Sequence, residues 1–280
     1  MISGAARVAG VAGRPVAHSL SPLIHNAWIA AAGLDAAYVP FAPADEAGFE
    51  RLVRGLRAGG AAGLNVTAPF KERALALADV ADAVARRAGS ANLLLFDPEG
   101  RVEARSTDGE GLMAALAEQA EGFDPAAAPA VILGAGGAAR AAAAALLDAG
   151  APEVRVVNRT RARAEELVFH LKGSTRAFAL AECERAMDGA GLLVNAAAGG
   201  PVPPLDALPR NAVAMDMTYR PLHTATLRAA AAGGLRTVDG LAMLIAQARP
   251  SFAALFGRPA PETREVDVRA ACLSAMGPAG

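Results

Sequence analysis

Short apolar runs alternate along the chain with longer alanine- and leucine-rich stretches of helical period, the pattern of an α/β protein with largely parallel sheets. The runs predict strands over 8–13, 38–42, 63–67, 92–96 and 102–106 in the first part of the chain. Asp97-Pro98-Glu99-Gly100 joins the last two with proline and glycine turn chemistry, so these two pair as a hairpin. A helix follows from Asp108 to about Gly122, and the proline-punctuated stretch after it marks a domain boundary nearby. Beyond it, strands are predicted over 130–133, 154–158, 192–196 and 212–217, with helices between them, and a helical segment over 241–256 near the end.

Length and composition sharpen this picture. At roughly 100–200 residues per domain, the chain's 280 residues predict two lobes and one cleft. A hydrophobic fraction of 53%, mostly alanine, leucine and valine, excludes disordered and collagen-like chains. Lysine plus arginine number 27 against 28 acidic residues, a net charge of −1 that gives no basic footprint for nucleic acid or anionic membrane; the expected partner is a small molecule. Cys183 and Cys272 are too few for a disulfide framework and fit a reducing compartment. Arg7 and Arg14 interrupt the first residues where a secretory segment would be apolar, and no apolar stretch reaches the roughly 18 residues of a membrane span, so a cytoplasmic location is expected. His18, His25, His170 and His223 lack the spacing of metal ligands, and no metal is expected.

The clearest chemistry lies at the end of the predicted strand 130–133. Gly134-Ala135-Gly136-Gly137-Ala138-Ala139 reads Gly-x-Gly-x-x-Ala and leads directly into an alanine-rich helix, the dinucleotide fingerprint in its proper strand-to-helix context. Gly134 permits the tight turn, Gly136 lets the backbone approach a pyrophosphate, and Ala139 lets helix pack on strand while the helix N-terminus faces the anion. The next strand ends in neutral Asn158 where NAD-binding chains usually place a carboxylate for the ribose diol. Arg159, Thr160, Arg161 and Arg163 follow, and arginines offer a 2′-phosphate a charge-assisted fork, so the loop favours NADP.

Three polar clusters mark the first half. Ser19 and Ser21 are two residues apart, so in an extended segment both hydroxyls face one side and can donate to a carboxylate; the same segment also fits a surface loop or a helix cap. Asn65-Val66-Thr67-Ala68-Pro69-Phe70-Lys71 ends a strand with polar groups and then delivers a lysine. Asn92 opens the following strand, and Ser106-Thr107-Asp108-Gly109 forms a strand-to-helix turn where Asp108 also fits an N-cap.

In this order the motifs resemble the shikimate dehydrogenases. The matching stretches are Gly13-Arg-Pro-Val-Ala-His-Ser-Leu-Ser-Pro-Leu-Ile-His25, Asn65-Val-Thr-Ala-Pro-Phe-Lys71, Asn92, Thr107-Asp-Gly109, Gly134-Ala-Gly-Gly137, Asn158-Arg-Thr160 and Asp239-Gly-Leu-Ala-Met-Leu-Ile-Ala-Gln247, covering essentially the whole chain. The resemblance implies an N-terminal α/β substrate domain over 1–106 completed by helices in 240–280, a Rossmann-type NADP domain with a parallel sheet over 107–239, and a cleft between them. It implies an NADP-dependent oxidoreductase interconverting 3-dehydroshikimate and shikimate, acting as a monomer or homodimer. Ser19 and Ser21 would hold the substrate carboxylate, with Thr67, Asn92, Asp108, Tyr219 and Gln247 on the carboxylate or ring hydroxyls, and Lys71 and Asp108 as the catalytic pair. Gly134, Ala135, Gly136, Gly137, Ala138, Asn158, Arg159, Thr160, Arg163, Met217 and Gly240 would bind the cofactor. The chain departs from the family pattern at Leu93 (usually threonine), Ser106 (usually asparagine), Ala197 (in the usual Asn-Ala-Thr) and Ala242 (usually glycine). The rival readings are a quinate/shikimate dehydrogenase that accepts NAD and a non-catalytic sensing module of the same fold.

Overall fold

The computed structural model describes residues 2–197 and 199–277; the last three residues of the predicted C-terminal part, 278–280, lie outside them. The chain divides into two compact units, one holding Met1–Thr107 with Gln247–Gly277 and the other Asp108–Ala246.

The first unit contains β1 (Arg7–Ala12), α1 (Ser21–Ala31), β2 (Ala36–Phe41), α2 (Glu46–Arg57), β3 (Gly63–Val66), α3 (Lys71–Ala76), β4 (Val80–Ala81), α4 (Ala83–Ala88), β5 (Leu93–Phe96) and β6 (Val102–Arg105). Its six-stranded sheet runs β2-β1-β3-β5-β6-β4. β1 is parallel to β2 and β3, whereas β5 runs antiparallel to both β3 and β6, so this sheet is mixed and 97–100 turns a hairpin as predicted. Helix α2 shows how local sequence sets an element. Asp45 caps it by accepting from the Gly48 amide at 2.7 Å, and Phe49 and Val53, one turn apart, bury its apolar face. Phe49 stacks on Phe70 with centroids 4.8 Å apart, within a core that also holds Leu64, Val66, Leu94 and Val102.

The second unit contains α5 (Asp108–Gln119), β7 (Ala130–Leu133), α6 (Gly137–Asp148), β8 (Val154–Asn158), α7 (Arg161–Leu171), β9 (Thr175–Ala179), α8 (Cys183–Met187), β10 (Leu192–Asn195), β11 (Val213–Asp216), α9 (Ala225–Ala232) and β12 (Arg236–Val238). Helix α10 (Gly240–Phe256) begins in this unit and ends in the first, which also carries α11 (Val268–Met276). All pairings in the second sheet are parallel, in the order β12-β11-β10-β7-β8-β9. β7 reads Ala-Val-Ile-Leu and is buried throughout, as a central parallel strand covered on both faces should be. The strand order reverses between β7 and β10, the switch point outside whose carboxyl ends such sheets bind ligands.

Candidate functional site

In the first unit the predicted polar groups gather at one end of the sheet. The backbone of the Asn65-to-Lys71 motif is stitched to its neighbours: the Val66 amide donates to Asn92 O at 2.8 Å, the Thr67 amide to Ala12 O at 2.9 Å, and the Ala91 amide to Lys71 O at 2.9 Å. Lys71 opens α3 directly after Phe70, whose buried ring anchors that end of the helix, and is itself half-buried. Thr67, Lys71 and Asn92 are thus brought together.

Asn92 is buried, and both ends of its carboxamide bond Thr107. Its Nδ2 donates to Thr107 Oγ1 at 2.9 Å while its Oδ1 accepts from the Thr107 amide at 2.8 Å. Thr107 Oγ1 donates in turn to Gln247 O at 3.0 Å, and Ser251 Oγ donates to the same carbonyl at 3.2 Å. Asn65 Nδ2 donates to Ser251 Oγ at 3.0 Å and Asn92 O at 3.1 Å, and its Oδ1 accepts from the Tyr38 hydroxyl at 2.8 Å. The Tyr38 ring lies flat on that of His25, centroids 4.0 Å apart, and burial lowers the His25 pKa from 6.5 to about 3, so this ring is neutral. The side-chain Oε1 of the same Gln247 is buried with no hydrogen-bond partner among the described residues, as is Ser106 Oγ. A buried acceptor left unmet costs about 1–3 kcal/mol, so this oxygen stands out among the polar atoms of the unit.

The extended reading of Ser19 and Ser21 does not hold. Ser21 is the first residue of α1, Leu20 before it has helical dihedrals of −86° and −7°, and the Ser21 amide donates to Ser19 Oγ at 3.3 Å. A proline at the helix start pre-sets that geometry, so the two hydroxyls stand at a helix N-terminus, where backbone amides add to their donor character toward an anion. Sequence reasoning passed over Tyr38, Ser251 and the side chain of Asn65; the visible signal was one asparagine in the otherwise apolar β3.

Asp108 and Tyr219 belong to the second unit. Asp108, only 1% exposed, opens α5, where the helix dipole favours a carboxylate. The glycine after it has a packing cause: a Cβ on Gly109 would stand 2.7 Å from Ala145 Cβ of α6, so only glycine lets the two helices approach this closely. Tyr219 is half-buried in the segment after β11, with Met217 two residues before it.

The dinucleotide fingerprint has the geometry its sequence predicts. Gly134 has φ +108°, a conformation that L side chains rarely adopt, and a Cβ there would stand a tight 3.2 Å from Ala196 O in the chain leaving β10, which adds to the strain of any substitution. Gly136 caps α6, and a Cβ there would meet nothing within 4 Å, which leaves open space beside the N-terminus of a twelve-residue helix, the kind of place where helices can receive anions. Asn158 ends β8 and folds back, Nδ2 donating to Thr160 O at 2.9 Å. Arg159 is exposed and pairs with no carboxylate among the described residues. Arg161 is held by Glu165 and Glu182, both at 2.9 Å, and Arg163 stands 3.6 Å from Glu166. Among the described residues, no group of histidine, cysteine or acidic side chains could hold a metal ion and no helix is long and apolar enough to cross a membrane.

Comparison with known proteins agrees with this chemistry. Residues 11–94 match the shikimate dehydrogenase substrate binding domain, and residues 115–202 match the shikimate/quinate 5-dehydrogenase model. The chain is 55% identical over 283 aligned residues to the shikimate dehydrogenase (NADP(+)) of Caulobacter vibrioides, spanning 99% of this chain and 98% of that protein. The chain belongs to the shikimate dehydrogenase family. Among solved structures of that family, the shikimate 5-dehydrogenase of Thermus thermophilus, in complex with NADP(H) and shikimate, superposes with a TM-score of 0.81 at 34% identity, covering 95% of this chain and 100% of that one. The quinate dehydrogenase of Corynebacterium glutamicum in complex with NAD has a TM-score of 0.83 at 25% identity, covering 95% and 99%. Backbone similarity does not separate the two activities within this family; side chains must.

Proposed function

We propose that the protein is an NADP-dependent shikimate dehydrogenase, reducing the ring ketone of 3-dehydroshikimate to the alcohol of shikimate and running the reverse reaction. The full-length 55% identity to an NADP-dependent shikimate dehydrogenase carries this reading. The first unit is the substrate domain and the second the NADP domain. The protein works on small molecules in the cytoplasm, without nucleic acid or membrane, as a monomer or homodimer.

Bound NADPH supplies hydride to the ketone carbon. The chain's own residues do the rest. Ser19 and Ser21 donate to the substrate carboxylate, supported by the amides that open α1. Gln247 Oε1, the buried acceptor without a donor, takes a ring hydroxyl, and Thr67, Asn92, Asp108 and Tyr219 supply further polar contacts. Negative charge develops on the ketone oxygen during reduction, and the Lys71 ammonium stabilises it and delivers the proton; in reverse, Lys71 and Asp108 together orient the hydroxyl and accept its proton. The backbone of Gly134 to Ala138 receives the diphosphate, Met217 and Gly240 line the cofactor site, and Arg159 with Asn158, Thr160 and Arg163 receives the 2′-phosphate. A neutral Asn158 beside an unpaired arginine speaks against the NAD-accepting alternative.

Lys71→Met tests the assignment. We expect kcat to fall by about 10²–10⁴ while the shikimate KM changes little. A near-normal kcat would mean that another group carries the proton.

A further inference from the structure

Asp216 ends β11 only 2% exposed, and no lysine, arginine or histidine pairs with it among the described residues. Burying an anion without a cation is costly unless hydrogen bonds surround it, and here three donors converge. Oδ1 accepts from the Thr218 amide at 2.9 Å; Oδ2 accepts from Asn195 Nδ2 at 2.9 Å and from Thr224 Oγ1 at 2.7 Å. Each donor fixes a different piece of chain. Thr218 belongs to the segment leaving β11, and Thr224 Oγ1 also caps α9 by accepting from the Leu227 amide at 3.2 Å. Asn195 ends β10; its Oδ1 accepts from the Ala197 amide at 3.1 Å and its backbone carbonyl from the Met217 amide at 2.9 Å. The start of α10 closes on the same segment: a Cβ on Gly240 would stand 2.6 Å from Met217 O and 2.8 Å from Asp216 O.

These segments leave the carboxyl ends of β10 and β11, in the half of the sheet beyond the switch point from the β7-β8-β9 half that carries the glycine loop and Arg159. In a doubly wound dinucleotide fold each half of the sheet serves one mononucleotide, so the β10–β12 half serves the nicotinamide mononucleotide. We propose that Asp216 is the positioning residue of that half, a buried carboxylate that locks the segments after β10 and β11 to one another and so holds Met217 and its neighbours in place. The proposal rests on the reading that the second unit binds NADP.

Asp216→Asn preserves the shape and removes the function. Its Nδ2 would oppose the Asn195 Nδ2 donor, and Thr224 Oγ1, which already accepts from the Leu227 amide, would have to turn its own hydroxyl hydrogen away and accept a second time. The test is NADPH affinity from reduced-nicotinamide fluorescence, set beside the affinity for adenosine 2′,5′-bisphosphate, which carries the adenosine and 2′-phosphate but no nicotinamide. We expect Asp216→Asn to weaken NADPH by about tenfold or more, with the bisphosphate unchanged within about twofold. General loosening of the unit would weaken both ligands alike, and that result, or unchanged NADPH affinity, would overturn the proposal. Asn195→Ala, which removes one donor and leaves the carboxylate, should shift the two affinities in the same selective way, and equal losses there would also count against it. If the unaltered protein bound neither ligand, the NADP reading would fall, and this proposal with it.

Discussion

Cofactor choice depends on which arginine after β8 is available to a phosphate. Arg161 is committed to Glu165 and Glu182, and Arg163 lies within 3.6 Å of Glu166, while Arg159 has no carboxylate partner among the described residues. On the proposed reading, Arg159→Ala therefore removes the principal cationic donor to the 2′-phosphate. A charge-assisted hydrogen bond contributes about 1.5–3 kcal/mol, equivalent to about 10- to 150-fold in affinity. Arg159 is exposed, so solvent and salt screen the interaction and the lower end of that range applies, a rise of about tenfold in the NADP KM. NAD lacks the phosphate, and its KM should move by less than about twofold. Arg161→Ala should leave the NADP KM within about threefold, since its guanidinium is already engaged. Initial rates of shikimate oxidation with varied NADP or NAD, followed by reduced-nicotinamide absorbance, measure all of this. Equal losses with both cofactors, or an Arg161→Ala effect as large as that of Arg159→Ala, would refute the reasoning.

Ser19→Ala and Ser21→Ala should each raise the shikimate KM with a smaller effect on kcat, and a substrate analogue lacking the carboxylate should bind the variants and the parent alike; a matching loss with the analogue would remove the serines from the carboxylate site. His25 couples stability to pH. Because its pKa is depressed from 6.5 to about 3 on folding, the unfolded chain takes up a proton that the folded one refuses, so its contribution is intact above pH 6.5 and is lost as pH falls toward about 3. The full slope is about 1.4 kcal/mol per pH unit. In urea titrations between about pH 7 and 5, His25→Phe, which keeps an aromatic ring on Tyr38, should show a slope shallower by up to that amount, and equal slopes would show that His25 is not the group responsible.

Much of the second unit was legible in sequence because its signals are local. β7 and β8 fall where predicted, since central parallel strands are continuous apolar runs and the glycine loop punctuates the first of them. The β5–β6 hairpin was equally visible through its turn. By contrast β4, with two residues, β9, with one buried position in five, and β12, with three residues, were missed because edge strands this short or exposed carry little apolar pattern. Spacing alone left Ser19 and Ser21 open between an extended pair and a loop or helix cap, because period two says nothing unless the segment is extended, and here it leads into a helix with a proline at its start. The Tyr38–Asn65–Ser251–Thr107 network could not be read at all: Asn65 and Ser251 are 186 positions apart, and only the fold joins them. The sequence shows Arg161 only as one arginine of a basic loop, and folding is what places Glu182 beside it.

The activity to be measured is oxidation of shikimate with NADP. Purified protein assayed with shikimate and with quinate, each against NADP and NAD, tests it most directly. We expect kcat/KM to be highest for shikimate with NADP and Lys71→Met to suppress turnover in every combination. A higher kcat/KM for quinate with NAD, or tight shikimate binding with no reduced cofactor formed, would contradict it.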